Sequence, residues 1–158
     1  MNPSSKKRPT GSFTYQPIGW IHSPYRTLDS IPKALGEAPT AEGSVEVDPA
    51  FEAGLLDIEG FSHLILIVAF HQSEAKPLRV IPPSQTRERG VFASRSPHRP
   101  NAIGILTVEL LGRQGTSLLV RGLDVLDGTP VLDIKPYLRH FDCRPEAGYG
   151  WLKDGRQK

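Results

Sequence analysis

The sequence predicts a mainly β, single-domain fold with one short helix, and three observations carry that expectation. Fifteen prolines and fifteen glycines among 158 residues cut the chain into short pieces and leave little room for long helices. Apolar, β-branched stretches follow one another with turn residues between them, the order expected of a barrel or a sandwich. There is no P-loop, and "GYG" at 148–150 opens no helix after a buried strand, so a Rossmann or other doubly wound fold is disfavoured.

Taken in order, residues 1–12 are polar and basic and are expected to form a disordered leader. The barrel-like domain is expected over 13–138, with a tail over 139–158. "YQPIGWIHS" (15–23) reads as the first strand, ended by Pro24. The segment to Thr40 carries Pro24, Pro32, Gly36 and Pro39 and is expected to be a functional loop. "GSVEV" (43–47) is a second strand, after which Asp48 is placed to cap a brief helix with Pro49 at its first position. "FSHLILIVAFHQ" (61–72) is the most apolar run and is expected as a buried central strand. "RGVFAS" (89–94) and "IGILTVELLG" (103–112) make two more strands, and "SLLVRGLDVL" (117–126) pairs with the latter through "GRQGT". Asp127-Gly128 then turns the chain back into "LDGTPVLDI". Beyond Tyr137, Phe141, Tyr149, Trp151 and Leu152 supply enough apolar surface to dock on the body and too little for a second core.

The net charge of +2 hides a segregation along the chain. Residues 37–59 hold seven acids and no Lys or Arg, whereas 76–99 hold six basic residues against Glu88 alone. A basic surface of that kind attracts phosphates; the alternative is an ordinary solvated loop. The single cysteine, Cys143, excludes an internal disulfide and a multi-cysteine zinc site and suits a reducing compartment. No apolar run reaches the length of a membrane helix and the start has no apolar secretory segment, so a cytoplasmic protein is expected.

The densest chemistry lies in "RGVFASRSPHRPNAIG" (89–104). Pro97 and Pro100 fix their own φ and restrict the residues before them, which predicts a stiff, extended turn over 96–101. Arg95 and Arg99 on such a turn suit an anion, because a guanidinium offers paired donors to carboxylate or phosphate oxygens. The plain alternative is that both pair with the acidic segment. His71 and Gln72 end the apolar run, where binding groups often lie. Asp124, Asp127 and Asp133 are oxygen donors of the type Mg²⁺ takes, but Asp127 is already explained as the turn residue before Gly128. The five histidines lack paired zinc spacing, so no metal is expected.

Four blocks, "IGWIHSPY" (18–25), "IEGFSHLILIVAFHQ" (58–72), "RGVFASRSPHRPNAIGI" (89–105) and "LDVLDGTPVLDIKPY" (123–137), together resemble the TsaA-like, or TrmO-like, family. The resemblance implies a β-barrel methyltransferase dependent on S-adenosylmethionine, active as a homodimer with the cofactor near the subunit interface. Its implied substrate is tRNA, methylated on N6 of threonylcarbamoyladenosine beside the anticodon. Carried over by block, the cofactor residues are Ala34, Leu35, Gly36, His71, Gln72, Arg95, Ile105, Asp124, Val125, Leu126 and Asp127. In the loop, "PKALGEA" departs from the family's glutamine-proline-glycine wording.

S-adenosylmethionine needs an acceptor for its ammonium, a cation for its carboxylate and an apolar slot for adenine. Asp124 or Asp127, Arg95, and Leu35 with Ile105 and Leu126 are of those types. The catalytic residue is left open between His71 and Asp127. Arg87, Arg89, His98, Arg99 and Lys135 are the candidates for RNA contact. The family's bacterial enzymes generally carry a further C-terminal domain, whereas about twenty residues follow Tyr137 here. Two alternatives therefore stand: a methyltransferase for another substrate, and a non-catalytic module that binds S-adenosylmethionine or RNA.

Overall fold

The computed structural model describes residues 11–32, 39–83 and 85–152. Six strands close into a barrel: β1 (Gly19–His22), β2 (Ala41–Val47), β3 (His63–Ala69), β6 (Ile103–Gln114), β7 (Ser117–Leu123) and β8 (Thr129–Pro136). Their order around the barrel is β1-β2-β7-β6-β3-β8, every neighbour antiparallel, with β8 closing onto β1. Closure leaves none of these strands with a free edge to recruit further pairing.

Alternation places one side chain in two inside. In β3, Leu64, Leu66 and Val68 are fully buried while Ile65 and Ile67 between them are half-buried. The run is therefore a one-sided barrel strand rather than a strand buried on both faces, because a barrel has a single interior. The core joins Ile21, Val45, Val47, Leu106, Val108, Leu118, Val120, Leu123 and Val131 to these three. Gly43 has no alternative there: a Cβ would lie 2.1 Å from the carbonyl oxygen of His22 on the neighbouring strand.

Asp48 caps as expected, its Oδ1 accepting the Ala50 N–H at 2.9 Å at the head of a 3-10 helix, Pro49–Leu55. Arg113 pins that helix to the β6–β7 hairpin by donating to the carbonyls of Gly115 and Leu55, at 2.7 and 2.9 Å, and to Glu59 at 3.0 Å. The acidic segment is thus met from β6 and β7: Arg121 bonds Glu42 and Glu109 at 2.7 and 2.8 Å.

One expected strand is corrected. "RGVFAS" is paired only at β5 (Arg89–Gly90), against β4 (Arg79–Val80), and then turns into a 3-10 helix, Val91–Ala93. After β8 come a short helix α1 (Arg139–Asp142) and a 3-10 turn, Gly150–Leu152. Trp151 there reaches Ala93, which it bonds through its indole.

Candidate functional site

Strand pairing alone gathers the singled-out segments. The pairs His22–Ser44, Ala41–Leu123, Ala69–Ile103 and Ile21–Thr129 show that the β1–β2, β3–β6 and β7–β8 connections all leave one end of the barrel. His71, Gln72, Arg95, His98 and Arg99 lie in the β3–β6 connection, and Asp124 to Asp127 lie in the β7–β8 turn. Ala34, Leu35 and Gly36 fall outside the described residues.

The 94–101 turn is held by serine hydroxyls as well as prolines. Ser94 Oγ donates to the Val91 carbonyl at 2.9 Å and accepts the Ser96 N–H at 3.3 Å; Ser96 Oγ accepts the His98 N–H at 3.2 Å. Ser73, two residues after His71, donates to the Pro97 carbonyl at 3.0 Å and lies 2.9 Å from His98 Nδ1. A hydroxyl has one hydrogen and a carbonyl only accepts, so both contacts are satisfied when His98 donates through Nδ1. These serines were not singled out from sequence; their signal is the S-x-S spacing ahead of a proline, which favours side-chain turns.

Beside this turn lies a cavity of ≈ 420 Å³, floored by Ile67, Ile103 and Ile105 on the outer face of β3 and β6 and walled by Phe92, Arg99 and Asn101. Ile105 is 55% exposed and Phe92 74%, and with Ile103 they line one cavity, an apolar patch of the kind that marks a binding surface. Arg99 is half-buried and donates to the Ser94 carbonyl at 3.3 Å, so it belongs to the cavity wall. Lys135 is paired with Asp133 at 2.7 Å. Arg89 is half-buried, its guanidinium 5.2 Å from the centre of the Trp151 ring. Arg87 and His98 are exposed.

In the β7–β8 turn the two acids have different environments. Asp127 accepts the Ser23 N–H through Oδ1 at 3.1 Å and Arg26 through Oδ2, while Gly128 takes φ +76° behind it. Its backbone N–H donates to the Tyr25 carbonyl at 2.8 Å. This carboxylate fastens the start of the β1–β2 connection to the turn. Replacing Asp127 by Ala leaves the buried Ser23 amide without its acceptor, and the expected loss is about 1–3 kcal/mol of stability, read as a lower urea midpoint. An unchanged midpoint would mean that water takes over the bond.

Asp124 is held otherwise. Although the residue is exposed to solvent over part of its surface, partial loss of hydration at its carboxyl pushes it above the ordinary 3.8, opposed by its own backbone N–H and by the Arg95 charge. Arg95 and Asp124, far apart in sequence, therefore act on each other at this end of the barrel. Val125 and Leu126 are 4% and 6% exposed, so the turn offers a ligand their backbone rather than their side chains. His71 and Gln72 are exposed beyond β3. Among the described residues no group of three or more His, Cys, Asp or Glu is placed to hold a metal ion.

The comparisons with known proteins bear on the family and the fold. The family model described as the tRNA-methyltransferase O N-terminal domain matches residues 20–143. A protein of Pyrococcus abyssi, described as a probable S-adenosyl-L-methionine-binding protein, is 49% identical over 144 residues, 91% of this chain and 78% of that one. The tRNA (adenine(37)-N6)-methyltransferase of Escherichia coli K12 is 38% identical over 152 residues, 90% of this chain and 65% of that enzyme. The crystal structure of TrmO from Pseudomonas aeruginosa superimposes with a TM-score of 0.75 at 39% identity, covering 89% of this chain and 62% of that one. The chain thus spans a little under two thirds of these last two proteins. With a family-model match that covers most of its length and a similar overall fold, the chain belongs to the tRNA-methyltransferase O N-terminal domain family.

Proposed function

We propose that the chain is an S-adenosylmethionine-dependent methyltransferase that modifies N6 of threonylcarbamoyladenosine in tRNA. The observation that carries this reading is that the Arg95 charge acts on the Asp124 carboxyl without a direct ion pair between them, at the barrel end where an apolar cavity, lined by Ile105 but by neither of these two residues, also lies. That set answers the two charges and the flat apolar body of the cofactor. Arg95 takes the carboxylate, Asp124 the ammonium, and Ile105 with the 124–127 backbone the adenosyl group. The bound cofactor supplies an activated methyl on a sulfonium, so the protein's main task is alignment of the acceptor nitrogen. Asp127 is occupied by Ser23 and Arg26, which leaves exposed His71 as the better candidate to receive a proton. Arg87 and His98, both exposed, are the RNA contacts of this reading.

A dimer in which a second copy covers Ile103, Ile105 and Phe92 fits their exposure and puts the cofactor beside the interface; sedimentation is expected to give a dimer. Action on tRNA supports a cytoplasmic location.

Transfer of labelled methyl from S-adenosylmethionine to tRNA from a strain lacking the modification tests the reading. Label in the threonylcarbamoyladenosine nucleoside is expected; bound cofactor with label elsewhere assigns a different substrate. A non-catalytic binding module is favoured by the naming of the Pyrococcus relative for binding alone, and it predicts binding without transfer to any RNA.

Asp124 also makes the reading pH-dependent. Its raised folded-state pKa means that it supports the fold below 3.8 and withdraws that support as pH rises through the raised value. Asp124→Asn is therefore expected to stabilise the protein only slightly at neutral pH, because solvent reaches this exposed residue, with the gain vanishing below the ordinary carboxylate range, and to weaken cofactor binding. Thermal melts at two pH values together with calorimetry check both halves. A variant that loses stability at pH 7 contradicts the desolvation argument.

A further inference from the structure

The tail leaves β8 at the end of the barrel opposite the candidate site, because Pro136 pairs with Leu64 at the start of β3. Trp151 nevertheless meets the site segment. Its Nε1–H donates to the Ala93 carbonyl at 2.7 Å, and the Arg89 guanidinium faces its ring at 5.2 Å. The two contacts bracket Val91–Ala93 from both sides.

Otherwise the segment is anchored by the buried Val91 side chain and by the Ser94 bonds to the Val91 carbonyl, while Phe92 and Ala93 are exposed. A single 3-10 turn and the two-residue pairing of β4 with β5 make few internal hydrogen bonds, and such elements open easily. The Val91 N–H bonds the Leu78 carbonyl at 3.0 Å, but the carbonyl of Ala93 points to the tail. One residue before Ala93, Phe92 forms the cavity wall; one residue after it, the Ser94 carbonyl receives Arg99, and Arg95 follows. The Arg89 Nε is buried without a hydrogen-bond partner among the described residues, a cost that the aromatic face over the guanidinium helps to offset.

We infer that Trp151 is a positioning residue for the cavity: the tail clamps Arg89 and Ala93, and thereby sets where Phe92, Arg95 and Arg99 stand. This inference rests on the cofactor reading above. Coupling of this kind is reciprocal, so a ligand in the cavity tightens tail docking as much as the docked tail tightens the ligand. It also withdraws the Arg89 guanidinium from the surface that meets RNA.

The test uses the full chain with Trp151→Phe, which keeps a ring over Arg89 and removes only the N–H donor, and Trp151→Leu, which removes both. Without ligand, amide exchange across 91–101 is expected to accelerate in both variants. S-adenosylhomocysteine, measured by calorimetry, is expected to bind about two- to tenfold more weakly to the Phe variant and more weakly still to the Leu variant. The melting temperature should stay near that of the wild type, since Trp151 lies outside the barrel core. Unchanged exchange overturns the clamp. Faster exchange with unchanged affinity overturns the positioning role. If the wild type itself binds no adenosyl ligand, the cofactor reading and the positioning role fall together, and the exchange result still decides whether the tail clamps the segment.

Discussion

Arg95→Ala is expected to weaken binding of S-adenosylhomocysteine by roughly 1.5–3 kcal/mol, one to two orders of magnitude in affinity, the usual worth of a hydrogen bond to a charged group. Two effects combine in that loss. The ligand carboxylate loses its fork of donors, and Asp124 loses the positive charge that favours its ionised form. The second effect is separable, because it moves the acid limb of binding: with Arg95 gone, Asp124 protonates at higher pH and ammonium binding fails earlier on acidification. Arg95→Lys restores the charge but not the planar fork, so it is expected to recover the pH limb more fully than the affinity. Calorimetry across a pH series reads both. Unchanged affinity at every pH would show that Arg95 faces away from the ligand.

Gly43→Ala is the substitution expected to cost the fold most for its size. The added Cβ would sit 2.1 Å from the His22 carbonyl oxygen and 2.7 Å from a methyl of Leu123. The carbonyl belongs to the strand pair that opens the site end of the barrel, so relief requires β1 and β2 to separate there. A destabilisation of about 3 kcal/mol, the upper end of ordinary overpacking, is expected, which for a chain of this size lowers the melting temperature by about 6–12 °C. Gly54→Ala is the control, since a Cβ there meets nothing within 4 Å. Equal melting temperatures for the two variants would contradict the packing described for the barrel.

How far sequence leads depends on what each residue answers to. β6, β7 and β8 are legible from their short β-branched runs between turn residues, as is the Asp127-Gly128 turn with its positive φ, whereas β3 is legible as a strand but its one-sided burial is not, because its run is apolar throughout. "RGVFAS" has the composition of a strand yet cannot join the barrel, since β3 is already paired on both sides by β6 and β8. Closure is a property of the whole sheet, and local composition carries no trace of it. The plain alternative for the cationic stretch is pairing with the acidic segment; among the described residues Glu59 and Glu42 of that segment pair with Arg113 and Arg121 instead.

The site divides along the same line. Arg95 stands out as a cation on a stiff turn and Asp124 only as one of three oxygen donors; the four-block resemblance implies a cofactor role for both, and the structure adds that the Arg95 charge acts on the Asp124 carboxyl. Ser23, Ser73, Ser94 and Ser96 were missed, because a hydroxyl's bond to a backbone group depends on the path of the chain around it. Ser23 is the clearest case: it is 5% exposed and donates to the Val125 carbonyl at 2.6 Å, across the two connections that frame the site. Trp151 was legible only as apolar tail surface, since its indole partner, Ala93, lies 58 residues away.

The central claim is that Arg95 and Asp124 clamp the amino-acid end of an adenosyl cofactor at this end of the barrel. A crystal structure of the full chain with S-adenosylhomocysteine tests it most directly. The predicted result is adenosyl density against Ile105 and the 124–127 backbone, with the ligand carboxylate on Arg95 and its ammonium on Asp124. Density at another place, or a ligand whose carboxylate and ammonium meet neither residue, would contradict it.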